Sequence, residues 1–123
     1  MRPIKFRGKQ KDTGEWEYGN HYGTGKESLE LFWMNVADGI IDIETVGQST
    51  GLKDKNGKEN YHKDILDWDG NRFIVEWDDD NGMWYGQQVA GNKERGALVG
   101  LAFGNTINVG NVHDNPELLK EKE

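Results

Sequence analysis

The chain has no cysteine. That removes disulfides, thiolate zinc sites, iron–sulfur ligation and cysteine catalysis from consideration, and it fits an intracellular setting. No apolar run is long enough to span a bilayer. The start, Met1-Arg2-Pro3-Ile4-Lys5-Phe6-Arg7, lacks the apolar core of a signal peptide. We therefore expect a soluble, cytoplasmic protein. Bases are outnumbered by acids, and the formal net charge is −7. Such a balance disfavours sequence-independent binding to a phosphate backbone. Aliphatic residues are scarce, and hydrophobic residues make up only 34% of the chain.

Rings and glycines are what the chain does have. Five Trp, four Tyr and four Phe stand among 123 residues. A large aromatic buries roughly 150–250 Å², so few side chains suffice for a core. One domain over residues 1–123 is expected, divisible into a β-rich lobe, 1–50, and a barrel-like lobe, 51–123. Charge is uneven. Arg2, Lys5, Arg7, Lys9 and Lys11 crowd the first eleven residues without an acid, whereas acids gather at Asp78-Asp79-Asp80 and in the tail.

Alternation sets the expected elements. Ile4 and Phe6 alternate with Lys5 and Arg7, and Trp16 and Tyr18 with Glu15 and Glu17. With Lys11-Asp12-Thr13-Gly14 as the turn, this predicts a β-hairpin with an aromatic inner face and a charged outer face. Ser28 to Asn35, with Leu29, Leu31, Phe32, Trp33 and Met34, reads as a short buried strand. Asp42 to Thr45 reads as one helical turn capped by Asp42 and stopped at Gly47. The Asn56-Gly57 pair predicts a tight turn.

Strands are expected at Asp64–Trp68, Asn71–Asp78 and Met83–Gln88, joined by Asp69-Gly70 and by residues 79–82. Within the second, Phe73, Val75 and Trp77 share one face. Ala97 to Phe103 and Thr106 to Val112 are further candidate strands. Asn115, Pro116 and Glu117 make a helix start that leads to Leu118 and Leu119. The expected fold is mainly β with minor α. Short antiparallel strands would form a small SH3-like or partly open barrel or curled sheet, with an N-terminal hairpin region and a short C-terminal helix.

Four blocks resemble the YopX family of phage and prophage proteins almost end to end. They are Arg2-Pro3-Ile4-Lys5-Phe6-Arg7-Gly8-Lys9; Asp12-Thr13-Gly14-Glu15-Trp16; Glu44-Thr45-Val46-Gly47-Gln48 through Gly51-Leu52-Lys53-Asp54-Lys55-Asn56-Gly57-Lys58-Glu59 with Asp64-Ile65; and Gly110-Asn111-Val112-His113-Asp114-Asn115-Pro116-Glu117-Leu118-Leu119. The family pattern places an apolar residue, Tyr, an acid and Gly before Asp-Ile. This chain has Asn60-Tyr61-His62-Lys63 there, with Lys63 at the glycine position. The resemblance implies a mainly β protein of an infected or lysogenic bacterium, with no established activity and no catalytic residues to carry over.

Tests for chemistry fail one by one. His21, His62 and His113 have no histidine partner at metal-ligand spacing. Aligning Gly82 with the sixth position of an EF-hand loop puts Trp77 first and Gln88 last, where carboxylates belong. Gly47-Gln48-Ser49-Thr50-Gly51-Leu52 lacks the Gly-Lys-Ser/Thr ending of a phosphate loop. Thr45, Ser49 and Thr50 have no local histidine, and 22 acids make no single carboxylate pair informative.

The expected role is a non-enzymatic module acting through protein contacts. No catalytic, cofactor-binding or metal-binding residue is assigned, and no cofactor is expected. Expected partners are further copies of the chain, in a homo-oligomer, and a phage or host protein, with no membrane. The candidate interaction surface is Arg2, Lys5, Arg7, Trp84, Tyr85, Leu118 and Leu119. The alternative is nucleic-acid binding by a small β-barrel, using the basic N-terminal strand and exposed aromatics, against which net charge weighs. A third class is an acidic inhibitor that mimics nucleic-acid charge.

Overall fold

The structure, a computed structural model, describes residues 4–90 and 97–120, with the backbone alone for 97–101. The fold is mainly β. Among the described residues nine strands run in chain order: β1 (Lys5–Gln10), β2 (Trp16–Asn20), β3 (Ile41–Lys53), β4 (Glu59–Tyr61), β5 (Asp64–Trp68), β6 (Asn71–Asp78), β7 (Met83–Ala90), β8 (Ala97–Val99) and β9 (Ile107–Asn111). The α-helix, α1, spans Leu29–Ala37. The sheets are ordered β2-β1-β3-β4 and β8-β7-β6-β5-β9. The second order is linear and the described strands close no barrel, so the SH3-like expectation gives way to an open sheet. The chain divides into two compact units, residues 1–49 and 50–123.

In the first unit α1 replaces the strand expected at 28–35. Ser28 ends the preceding chain in extended conformation, and its Oγ accepts from the Leu31 amide at 3.2 Å, a helix N-cap. Leu29, Phe32 and Val36 then follow at helical spacing, and Phe32 is buried. The hairpin also differs from expectation. Lys9 pairs with Trp16 and Arg7 with Tyr18. Residues directly opposite share a face, so Trp16 and Tyr18 stand beside the bases. Phe6 with Gly19, and Gly8 with Glu17, pair across the other face. A Cβ on Gly19 would lie 2.6 Å from Phe32 Cβ, and one on Gly8 2.6 Å from Ile41 Cγ2 and 3.5 Å from Phe32 Cζ. The missing side chain at Gly19 is what lets Phe32 settle on β2, and the one at Gly8 leaves room for Ile41.

Asp42 to Thr45 belongs to β3 and makes no helical turn. Arg7 faces Gly47 while Lys9 faces Asp42, so residues 43–46 bulge opposite Gly8. Asp42 Oδ1 accepts from the Glu44 amide at 3.1 Å, and Thr45 Oγ1 accepts from the Lys9 amide at 2.8 Å. The capping chemistry of Asp42 is present, but it stabilises a bulge.

In the second unit β5, β6 and β7 form the meander that alternation predicts. Asp69 and Gly70 both take positive φ, 53° and 83°, which suits a two-residue hairpin turn. Leu66, Phe73, Val75 and Phe103 make the buried core, with Leu52, Trp68 and Trp84 packed on it. Phe32, Phe73 and Phe103 are the fully buried rings, and every tryptophan keeps some exposure. Fully burying each Phe contributes roughly 1.5–3 kcal/mol. The smaller rings thus pack inside and the indoles border solvent.

Two late elements also depart from expectation. The segment expected as a strand from 97 to 103 is β8 followed by a 3-10 helix, Gly100–Asn105. The C-terminal helix is a single 3-10 turn, Pro116–Leu119. Asn115 does not cap it. Its Oδ1 accepts instead from the Asn111 amide at 3.3 Å, so the first turn lacks the side-chain acceptor that would extend a helix.

Candidate interaction surfaces

The residues that carry the sequence signature hold backbone together. Asp54 Oδ1 accepts from the amides of Asn56 (2.9 Å) and Lys58 (2.8 Å), and its Oδ2 from the Asn108 amide at 2.8 Å. One carboxylate thus clamps the Asn-Gly turn and ties it to β9. Asn60 and Asp64 are buried. Asn108 Nδ2 bridges them, donating to Asn60 Oδ1 at 2.9 Å and to Asp64 Oδ2 at 2.8 Å. Asp64 Oδ2 also accepts from the Tyr61 amide at 2.8 Å. Such groups are costly to bury unless satisfied, and here they fix loops against strands.

Lys63 occupies the position at which the family pattern has glycine. Its φ is +74°, so the tight turn persists with a lysine in the left-handed region. Its amide donates to the Val75 carbonyl at 2.9 Å, and its carbonyl accepts from the Val112 amide at 3.0 Å. These bonds hold the backbone where glycine would sit without strain.

Of the expected surface residues, Arg2 lies outside the described residues. Lys5 and Arg7 lie on β1, in the first unit. Lys5 is half-buried, and Arg7 is buried with its guanidinium 4.4 Å from the Trp16 ring centroid. Trp84, Tyr85, Leu118 and Leu119 lie in the second unit and are all half-buried. Trp84 meets the Trp77 ring edge-on at 5.1 Å and the His62 ring at 5.6 Å. Leu118 offers its carbonyl to Arg72 Nη1 at 3.1 Å. The ring that reaches furthest into solvent on this hairpin is Trp77, 43% exposed. Its cross-strand pairing with Trp84 sets it at the end of the core face, beyond the last fully buried side chain.

Beside these rings stands a small charged group. Glu76 Oε1 lies 3.2 Å from His62 Nε2 and 2.5 Å from Lys63 Nζ. Burial holds the His62 imidazole below its ordinary pKa, against the pull of Glu76 and together with the repulsion of Lys63. Asp78, at the tip, titrates lower than usual because Asn81 donates to it. Among the described residues no group of three or more His, Asp or Glu side chains could hold a metal ion, and no helix is long and apolar enough to cross a membrane.

The first unit carries two surfaces that alternation alone did not reveal. Trp33 and Met34, on the outer side of α1, are 41% and 54% exposed. Trp33 also contacts Phe6 at 5.1 Å and Phe32 at 5.2 Å, edge to face. Second, an open groove of about 450 Å³ runs between β2 and the chain of residues 26–35, lined by Trp16, Tyr18 and Leu31 and by the carboxylates of Glu15, Glu17 and Glu27. Helical spacing at Leu29, Phe32 and Val36 was the available signal for α1, and with it for both surfaces.

No curated protein matches the chain. A family model described as YopX protein does match, over residues 5–120, and that span takes in Asp54, Asn60, Asp64 and Asn108. With nearly its whole length accounted for in this way, the chain belongs to the YopX family.

Proposed function

We propose that this chain is a non-enzymatic protein-interaction module of a phage or prophage, acting in the bacterial cytoplasm and assembling with further copies of itself. One observation carries the reading. Seven of the ten exposed large hydrophobic side chains among the described residues lie in the first unit, Trp33 and Met34 among them. Trp and Met are enriched where proteins meet, and Trp33 and Met34 are neighbours on α1. A phage or host protein is the second class of partner for the same module. The nucleic-acid alternative is weakened by Arg7, whose buried guanidinium is stacked on Trp16 and is not presented to a phosphate.

Light scattering after size exclusion tests the proposal. The native chain should run as an oligomer at low and high salt, because apolar contacts are not screened. Replacing Trp33 and Met34 by Ser should shift it toward monomer. Loss of one central interface Trp costs about 2 kcal/mol or more, near 30-fold in dissociation constant. A native chain that is monomeric at every concentration and salt would sink the self-assembly reading.

A further inference from the structure

We propose that the groove beside β2 takes an extended segment of another protein that carries lysine or arginine side chains. This site lies on another side of α1 from Trp33 and Met34, and goes beyond the self-assembly reading. The groove offers two kinds of surface side by side. Trp16, Tyr18 and Leu31 give it an apolar wall, and its lining holds three carboxylates and one base, Lys26. Lysine and arginine match both, since the aliphatic stem lies on rings or leucine while the cation reaches the carboxylates. Trp16 already keeps such company: besides the Arg7 guanidinium, the Lys9 ammonium stands 5.7 Å from its ring centroid.

The carboxylates are placed differently. Glu17 is held on both oxygens, by Gln10 Nε2 and, at 3.1 Å, by Asn35 Nδ2. It cannot swing away from the groove without losing amide partners. Glu15 and Glu27 are exposed and adaptable. One wall is formed by four successive residues, Glu15 to Tyr18. At about 3.3 Å per residue that wall is roughly 10 Å long, the reach of three or four residues of extended chain.

The test uses fluorescence anisotropy with the full chain and two labelled peptides, acetyl-(Lys-Ala)₃-amide and acetyl-(Glu-Ala)₃-amide. The lysine peptide should bind at low ionic strength, more weakly as salt rises, and the glutamate peptide should not. Replacing Glu15 and Glu27 together by Lys should weaken binding by about tenfold, because two exposed ion pairs turn into repulsions. Replacing Asp79 and Asp80 by Lys makes the same change of charge in the second unit and should leave binding within about twofold. Circular dichroism checks folding. Should the first variant lose its native spectrum, Glu15→Gln with Glu27→Gln is measured instead and must still weaken binding by about threefold. No binding of the lysine peptide at low salt would overturn the proposal. So would equal losses in the two lysine variants, or spermine binding as tightly as the peptide. Self-assembly is read by light scattering and this contact by anisotropy, so either can fail alone.

Discussion

Asp54 offers the sharpest test of the idea that the chain's most distinctive stretch builds structure. Its carboxylate, 6% exposed, accepts three backbone N–H groups. Hydrogen bonds to a charged group are worth about 1.5–3 kcal/mol each. Asp54→Ala removes all three acceptors, but the losses differ. Asn56 and Lys58 lie on an exposed turn, so water takes over their amides and each costs about 0.5–1 kcal/mol. The Asn108 amide is half-buried in β9, and its loss is nearer the full about 1.5–3 kcal/mol. The expected total is about 3–4 kcal/mol. Asp54→Asn keeps one oxygen and turns an amide NH₂ toward one former donor, costing about 1.5–2 kcal/mol. Urea unfolding followed by tryptophan fluorescence reads both. With a slope near 2 kcal/mol per molar, Asp54→Ala should lower the midpoint by about 1.5–2 M and Asp54→Asn by about half that. An Asp54→Ala midpoint within about 0.5 M of the native one would refute the clamp.

Two further outcomes follow from the turn before β5. Lys63→Gly should be tolerated, because relief of the left-handed backbone offsets the lost contact with Glu76. Lys63→Val should be about 2 kcal/mol less stable than Lys63→Gly in the same assay, since a β-branched residue is strained at φ +74°. Equal stability of the two would contradict the backbone assignment. His62 makes stability pH-dependent. Its folded pKa lies below the ordinary 6.5, so the unfolded chain binds the proton more readily. The contribution is complete above the ordinary value and is lost as pH falls from there through the lower, folded value. Unfolding at a series of pH values should show that decline, and His62→Gln should flatten it; an unchanged slope assigns the decline to other groups.

The β5–β6–β7 meander was legible because Phe73, Val75 and Trp77 alternate along β6 and the turns at Asp69-Gly70 and Gly82 carry residues that accept unusual φ. Three other readings failed for local reasons. The Ser28–Asn35 run is too short and too apolar for its period to separate strand from helix, although Ser28 and the Leu29, Phe32, Val36 spacing pointed to a cap and a helix. Asp42 was correctly seen as an acceptor of nearby amides, but such bonds serve a bulge as well as a helical turn. In the hairpin, period two fixes which residues share a face within one strand and leaves open how two strands align. The Gln10 amide bonding to the Glu15 carbonyl at 2.9 Å closes the turn, and the resulting register puts Trp16 opposite Lys9. The groove depends on α1 as well as on that register, so it was hidden from the sequence twice over.

Phe32 has a bearing on how this family can vary. Its Cβ and ring rest on β2 where Gly19 has no side chain, so α1 cannot slide along the hairpin by one residue without lifting Leu31 or Trp33 over the notch. Positions 19 and 32 therefore form one lock, and positions 8 and 41 a second. A relative that gains a methyl group at position 19 should seat α1 further from β2, because that methyl meets the Cβ of residue 32 whatever side chain follows it, and one that gains a methyl group at position 8 should carry a smaller residue in place of Ile41.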